Sequence, residues 1–123
     1  AWSDDGRFVF LTANARDKWD RALLRWDRTT ATLTELARDT QFRTGLQLSR
    51  DGGTVVLNIA APNSPADPYV TDASLTAPRR IHEANPQLAS MPRAKTELIR
   101  YLDADGAPQW GVLYHPTTGT KPA

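Results

Sequence analysis

Trp2-Ser3-Asp4-Asp5-Gly6-Arg7-Phe8-Val9-Phe10-Leu11 returns, in weaker form, as Leu48-Ser49-Arg50-Asp51-Gly52-Gly53-Thr54-Val55-Val56-Leu57. The offset of 46 residues holds at Ser3/Ser49, Asp5/Asp51, Gly6/Gly52 and Leu11/Leu57. Each copy has the same chemistry. Asp-Gly supplies a residue that accepts positive φ in a tight turn, and the Ser or Asp side chain before it can bond nearby backbone amides. A β-branched and aromatic run then follows as a strand. A period of about 40–50 residues built from short strands is the mark of propeller blades, each a small antiparallel sheet.

Between the copies, two periodicities compete. Trp19, Ala22, Leu23 and Trp26 have the i, i+3, i+4, i+7 spacing of an amphipathic helix. Ala22, Leu24 and Trp26 alternate as a strand would, with Thr29-Thr30-Ala31-Thr32 turning into Leu33-Thr34-Glu35-Leu36. The repeat favours the strand. Residues 44–48 then lead into the second copy, and residues 54–60 form its partner. Three prolines in Ala61-Pro62-Asn63-Ser64-Pro65-Ala66-Asp67-Pro68 predict a loop. Pro68-Tyr69-Val70-Thr71 and Arg79-Arg80-Ile81-His82 are expected as short closing strands, and Asn85-Pro86 to Met91-Pro92 as a connector. Glu97-Leu98-Ile99-Arg100-Tyr101-Leu102 and Gln109-Trp110-Gly111-Val112-Leu113-Tyr114-His115 flank an Asp105-Gly106 turn and predict a hairpin. The last seven residues, 117–123, read as a loop leading onward.

Composition narrows the function classes. The 123 residues are 40% hydrophobic and 24% charged, and 15 basic side chains balance 14 acidic ones to a net charge of +1. No block of one sign offers an electrostatic footprint for nucleic acid or anionic lipid. The absence of cysteine removes disulfides, thiolate catalysis and Cys-based zinc sites, while leaving the compartment undetermined. No apolar run approaches the ~18–20 residues of a membrane helix. The first residues lack the basic start and apolar core of a signal peptide, and the single Met is Met91. These features lead to the expectation that the chain begins inside a larger gene product or after processing.

The repeated segments resemble propeller motifs of the Trp-Ser-Pro-Asp-Gly-Lys type, with Asp4 where proline is usual. Asn85-Pro86-Gln87-Leu88, Thr96-Glu97-Leu98-Ile99, Asp105-Gly106, Gly111-Val112-Leu113-Tyr114-His115-Pro116 and the final Lys121-Pro122 together resemble a junction in the prolyl oligopeptidase family of serine peptidases. There the last propeller blade passes through a connector into an antiparallel hairpin that opens an α/β-hydrolase domain. The resemblance implies an all-β chain with a partial β-propeller of about two blades over residues 1–91. Residues 92–123 would be the connector and first hairpin of a hydrolase domain. It also implies a parent that hydrolyses oligopeptides by acyl transfer, with the propeller limiting substrate access. The alternative is a binding module of a stand-alone propeller protein with no enzymatic activity.

No residue is assigned a catalytic, cofactor-binding or metal-binding role. The family's Gly-x-Ser-x-Gly nucleophile elbow is absent, and Ser3, Ser49, Ser64, Ser74 and Ser90 have turn or loop surroundings. His82 and His115 are expected near strand ends as structural or exposed groups. Asp4, Asp5, Asp103 and Asp105 are explained by turns, and a calcium loop would need more alternating oxygen ligands. Arg79 and Arg80 could meet a substrate carboxylate, but the surface-arginine reading is the stronger. Two blades alone would leave faces and edges open. The expected partners are therefore the remainder of the parent chain or other copies joined through open strand edges, with a peptide substrate in the intact enzyme. Nucleic acid and membrane are not expected partners.

Overall fold

The computed structural model describes residues 1–14 and 20–117 and is all-β, built from three antiparallel sheets. The first has the order β1 (Phe8–Asn14), β2 (Arg21–Asp27), β3 (Thr32–Asp39). Residues 1–3 lie along β1, with Ser3 N–H donating to Phe8 C=O (3.0 Å) and Phe10 N–H to Ala1 C=O (2.8 Å). They add a bridge along the free edge of β1, and we call this unit blade 1. Blade 2 has the order β4 (Phe42–Leu48), β5 (Thr54–Ala61), β6 (Ser64–Asp72), β7 (Arg79–Arg80). After a 3-10 turn over Pro86–Ser90, β8 (Thr96–Leu102) and β9 (Pro108–Tyr114) form the separate hairpin.

The strand reading of Ala22, Leu24 and Trp26 is the observed one. Trp19, on which the helical spacing depends, lies outside the described residues, as do residues 118–123 at the end of the expected C-terminal loop. The proline-rich loop is a correction: the β5–β6 turn is only Pro62-Asn63, and β6 runs straight through Pro65 and Pro68. Pro65 falls where the β5–β6 register slips between Ile59 and Ala61, a bulge that needs no ladder donor. Pro68 C=O accepts from Ile81 N–H (2.9 Å), so its nitrogen also faces the β7 side, where that strand is two residues long. Neither proline interrupts the pairing that matters. The expected strand over residues 79–82 shortens to Arg79–Arg80, because Pro68 accepts from Ile81 N–H but has no N–H of its own to continue the ladder.

The repeated turn is one hydrogen-bonded device used twice. Ser3 Oγ donates to the Asp5 carboxylate (2.6 Å) and accepts from Phe8 N–H (2.8 Å), and Asp5 accepts Arg7 N–H (3.0 Å). Ser49 Oγ donates to Asp51 (2.5 Å) and accepts from Thr54 N–H (2.9 Å), and Asp51 accepts Gly53 N–H (3.0 Å). Gly6 (φ +65°) and Gly52 (φ +70°) sit where a side chain would be strained, each donating its N–H to the serine carbonyl. A second equivalence appears only in the structure. Asp27 and Asp72 occupy matching register positions and accept the amides of Thr29 and Ser74, both at 2.8 Å. Ala31 (φ +51°) and Leu75 (φ +58°) then take the left-handed conformation. Leu75 is held there by burial of its side chain in the core.

The core joins the two blades. Along β5, Val55, Leu57 and Ile59 are buried while Thr54, Val56 and Asn58 are exposed, the alternation of a strand with one covered face. The buried set clusters with Leu23 of blade 1 and Leu75, with Leu36, Ala37, Leu46, Leu48, Tyr69 and Ala73 packed around it. Blade 1 presents Phe10 and Leu23 to this interface, both buried. Beside them Arg7 and Arg25 lie over the Phe8 ring at 4.7 and 4.8 Å, and Arg7 pairs with Asp27 (2.8 Å). A cation on an aromatic face and a half-exposed ion pair add modestly to the apolar contact that dominates.

Truncation should expose this parity. Leu57→Ala is expected to cost about 2–4 kcal/mol by leaving a cavity, whereas Val56→Ala, one residue away, should cost about 0.5 kcal/mol or less. Urea unfolding of the two variants measures the difference, and equal costs would contradict the assigned face. Acid provides a second check. The Ser3, Ser49 and Ser74 hydroxyls hold the carboxyls of Asp5, Asp51 and Asp72 below their ordinary range, and the Arg7 guanidinium does the same for Asp27. Groups depressed in the folded state stabilise above the unfolded value of about 3.9, and the contribution is lost as pH falls through the folded values. The urea midpoint should therefore fall progressively below about pH 4, less steeply in Asp51→Asn; a midpoint unchanged down to pH 2 would be the contrary result.

Candidate functional site

The blades have two unlike ends. One carries the Ser-x-Asp-Gly turns with the Asp27 and Asp72 turns, whose polar groups are spent on their own backbone. The other end gathers Asn14, Arg21, residues 39–43 and the β5–β6 turn, because Asn14 pairs with Arg21, Arg21 with Asp39 and Phe42 with Ala60. The hairpin docks here too. Tyr114 Oη donates to Pro62 C=O (2.6 Å), Asn63 Nδ2 to Ala94 C=O (3.3 Å) and Arg93 to Ser64 Oγ (3.2 Å). This is the end with chemistry to spare.

A cleft of about 130 Å³ opens there between the blades, lined by Thr12, Asn14, Arg21, Gln41, Phe42 and Arg43, among others. Arg43 is fixed by a two-pronged pair with Asp39, both contacts at 2.7 Å, and by Gln41 Oε1 (2.9 Å). Its guanidinium holds the Asp39 carboxyl below the ordinary range. The Arg21 guanidinium lies over the Phe42 ring at 4.0 Å. The cleft has a mixed lining, with Ala22, Leu23 and the Phe42 ring beside the two arginines and the amide and hydroxyl groups. Its polar side can receive a carboxylate or a peptide carbonyl. Sequence reasoning passed over Arg21 and Arg43, which only cross-strand register brings together.

The residues weighed from sequence fall elsewhere. Ser3 and Ser49 are locked in their turns, Ser74 bonds Asp72 and Thr76, Ser64 accepts from Arg93, and Ser90 donates to Gln87 C=O (3.1 Å). Among the described residues none of these serines hydrogen-bonds a histidine. His115 Nε2 instead meets Glu97 (2.9 Å), an exposed pair across the hairpin base. Asp103 closes the hairpin turn, accepting the amides of Asp105 and Ala107. Arg80 pairs with Asp67 (3.2 Å) and Glu83 (3.5 Å), which ties β7 to β6 and the connector. Among the described residues no group of three or more His, Asp or Glu side chains could hold a metal ion.

No family model matches this chain, and no curated protein does. Among solved structures it is similar to a variant of the AtxE2 isopeptidase with Astexin3-dC4 bound. The TM-score is 0.76 at 12% identity, over 97% of this chain and 18% of that one. The chain therefore spans less than a fifth of the isopeptidase's length, and at this identity the likeness is one of fold. It corrects the assignment to the prolyl oligopeptidase family: no family model supports it, and the structural likeness is to an isopeptidase. The short motifs behind the assignment are accounted for by turn and hairpin chemistry.

The docking contact is open to direct test. Tyr114→Phe deletes the bond to Pro62 and should loosen the hairpin by about 0.5–1 kcal/mol. Hydrogen exchange is expected to accelerate at β8–β9 amides while β5 amides stay unchanged; acceleration throughout blade 2, or none, would contradict a local docking role.

Proposed function

We propose that residues 1–123 form the non-catalytic blade-and-hairpin portion of a peptidase, and that the blades restrict which peptides reach its reactive centre. The observation that carries this reading is the fold likeness to an isopeptidase across nearly the whole chain. The hairpin supports it. β8–β9 pairs with neither blade, yet it is anchored on the blade end that holds the arginine-lined cleft. In this reading Arg21 and Arg43 receive the carboxylate or carbonyl groups of an incoming peptide. The hairpin holds the blades in register with the hydrolytic part. Amide hydrolysis itself uses groups other than the serines and histidines described above.

The experiment compares the full-length product of the gene with its Tyr114→Phe/Asn63→Ala variant on a short peptide and on a folded protein carrying the same cleavable bond. The wild type should cleave the short peptide and spare the folded protein, and the variant should narrow that gap severalfold. The 123-residue chain alone should hydrolyse neither. Failure of the full-length protein to cleave any peptide or isopeptide bond would favour the binding-module alternative. Unchanged size selectivity in the variant would remove the access role.

A further inference from the structure

We propose that Asp105-Gly106, at the tip of the β8–β9 hairpin, is a site of spontaneous isomerisation to isoaspartate, and that serine-anchored turns protect the two other Asp-Gly pairs of the chain from it. The inference is independent of the peptidase reading. Asp-Gly is the sequence most open to this reaction, because glycine has no side chain to hinder its own amide nitrogen. Gly106 N forms a bond to Asp105 Cγ, and the carboxyl hydroxyl leaves with the amide proton as water. The cyclic succinimide then takes up a water molecule. Opening at the main-chain carbonyl of Asp105 leaves Gly106 N attached to Cγ, so the chain runs through the former side chain and gains one carbon. A carboxyl group sheds its hydroxyl as water only from the protonated form. Bonds that hold it ionised and in place therefore slow the step.

The three Asp-Gly pairs share one backbone. Gly6, Gly52 and Gly106 have φ of +65°, +70° and +79°. Each donates its N–H to the carbonyl three residues back, on Ser3 (2.8 Å), Ser49 (2.9 Å) and Asp103 (3.0 Å). The side chains set them apart. Asp5 is gripped by the Ser3 hydroxyl (2.6 Å) and Arg7 N–H (3.0 Å), and Asp51 by the Ser49 hydroxyl (2.5 Å) and Gly53 N–H (3.0 Å). These bonds keep both carboxyls below their ordinary range. In the third turn Asp103 stands where the serine stands, and a carboxylate has no proton to give Asp105. Asp103 instead accepts Asp105 N–H (3.1 Å), Ala107 N–H (2.8 Å) and Gln109 Nε2 (3.0 Å). Among the described residues the Asp105 carboxylate accepts no hydrogen bond, and the residue is exposed. Every contact in this comparison lies within its own turn.

The position of the added carbon gives the change a consequence. It falls inside the loop that Asp103 N–H closes on Ala107 C=O (3.0 Å), beside the last ladder pair, Leu102 with Pro108. Loop length fixes the register of a hairpin. Isomerisation therefore loosens β8–β9, the hairpin that carries the Tyr114 contact onto blade 2.

Peptide mapping of the full-length product of the gene, aged at neutral pH, tests the proposal. Isoaspartate is read as resistance to an endoprotease that cuts before aspartate and as methyl acceptance from an isoaspartyl methyltransferase. It should accumulate at residue 105 severalfold faster than at residues 5 and 51. Ser49→Ala removes the donor to Asp51 and should raise the rate at 51 toward that at 105, which itself stays unchanged. Asp105→Glu keeps the charge but needs a larger ring, so no signal should arise at that position. After ageing, hydrogen exchange of β8–β9 amides should be faster in the wild type and unchanged in Asp105→Glu. Thermal melts establish that each variant is folded. Asp103→Ser, which supplies the missing donor, replaces Ser49→Ala if that variant is not, and should slow the reaction at 105. Equal accumulation at all three positions overturns the proposal, as does none at 105. A rate at 51 that ignores the loss of Ser49 overturns the protective role of the serine turns.

Discussion

Ser49 Oγ stands between the Asp51 carboxylate and the Thr54 amide, and this three-way contact sets the register of β4 on β5. A slip of one residue would turn Thr54, Val56 and Asn58 inward and expel Val55, Leu57 and Ile59. The core between the blades therefore depends on a turn of five residues. Ser3, Asp5 and Phe8 repeat the arrangement in blade 1. The Ser49 turn is exposed, while in blade 1 Ser3 is buried and its bonds partly so. The importance of each turn lies in deciding which side chains the hydrophobic effect can act on.

The division of labour between the two blade ends follows from the same economy of polar groups. Turns that satisfy their own carboxylates and amides have nothing left for a ligand. At the opposite end Arg21 and Arg43 face a cleft, and the β5–β6 turn offers Pro62 C=O and Asn63 to the hairpin.

The blade architecture was legible because its determinants are local. Ser-x-Asp-Gly carries the hydrogen bonds that define its turn, and the alternation in residues 54–59 names its own buried face. The turn after Asp27 was legible in Thr29-Thr30-Ala31-Thr32, but its equivalence with the turn at Asp72 was not. Their equivalence lies in register, and Ala31 and Leu75 adopt the positive φ that sequence reasoning assigns to glycine. The prolines of β6 misled for a related reason: their cost depends on which neighbour their nitrogens face, which only the sheet order reveals. Arg21 and Arg43 escaped notice because nothing in their spacing brings them together. The family assignment failed through reliance on short motifs whose chemistry is that of turns in general.

The chain contains no cysteine, so a single introduced thiol reports on one position alone. Reactivity of Val55→Cys, Val56→Cys, Leu57→Cys and Asn58→Cys toward a small alkylating reagent measures the β5 register directly. The account predicts protection at residues 55 and 57, rapid labelling at 56 and 58, and erosion of that alternation when Ser49→Ala is added. Uniform labelling, or an alternation of opposite phase, would contradict it.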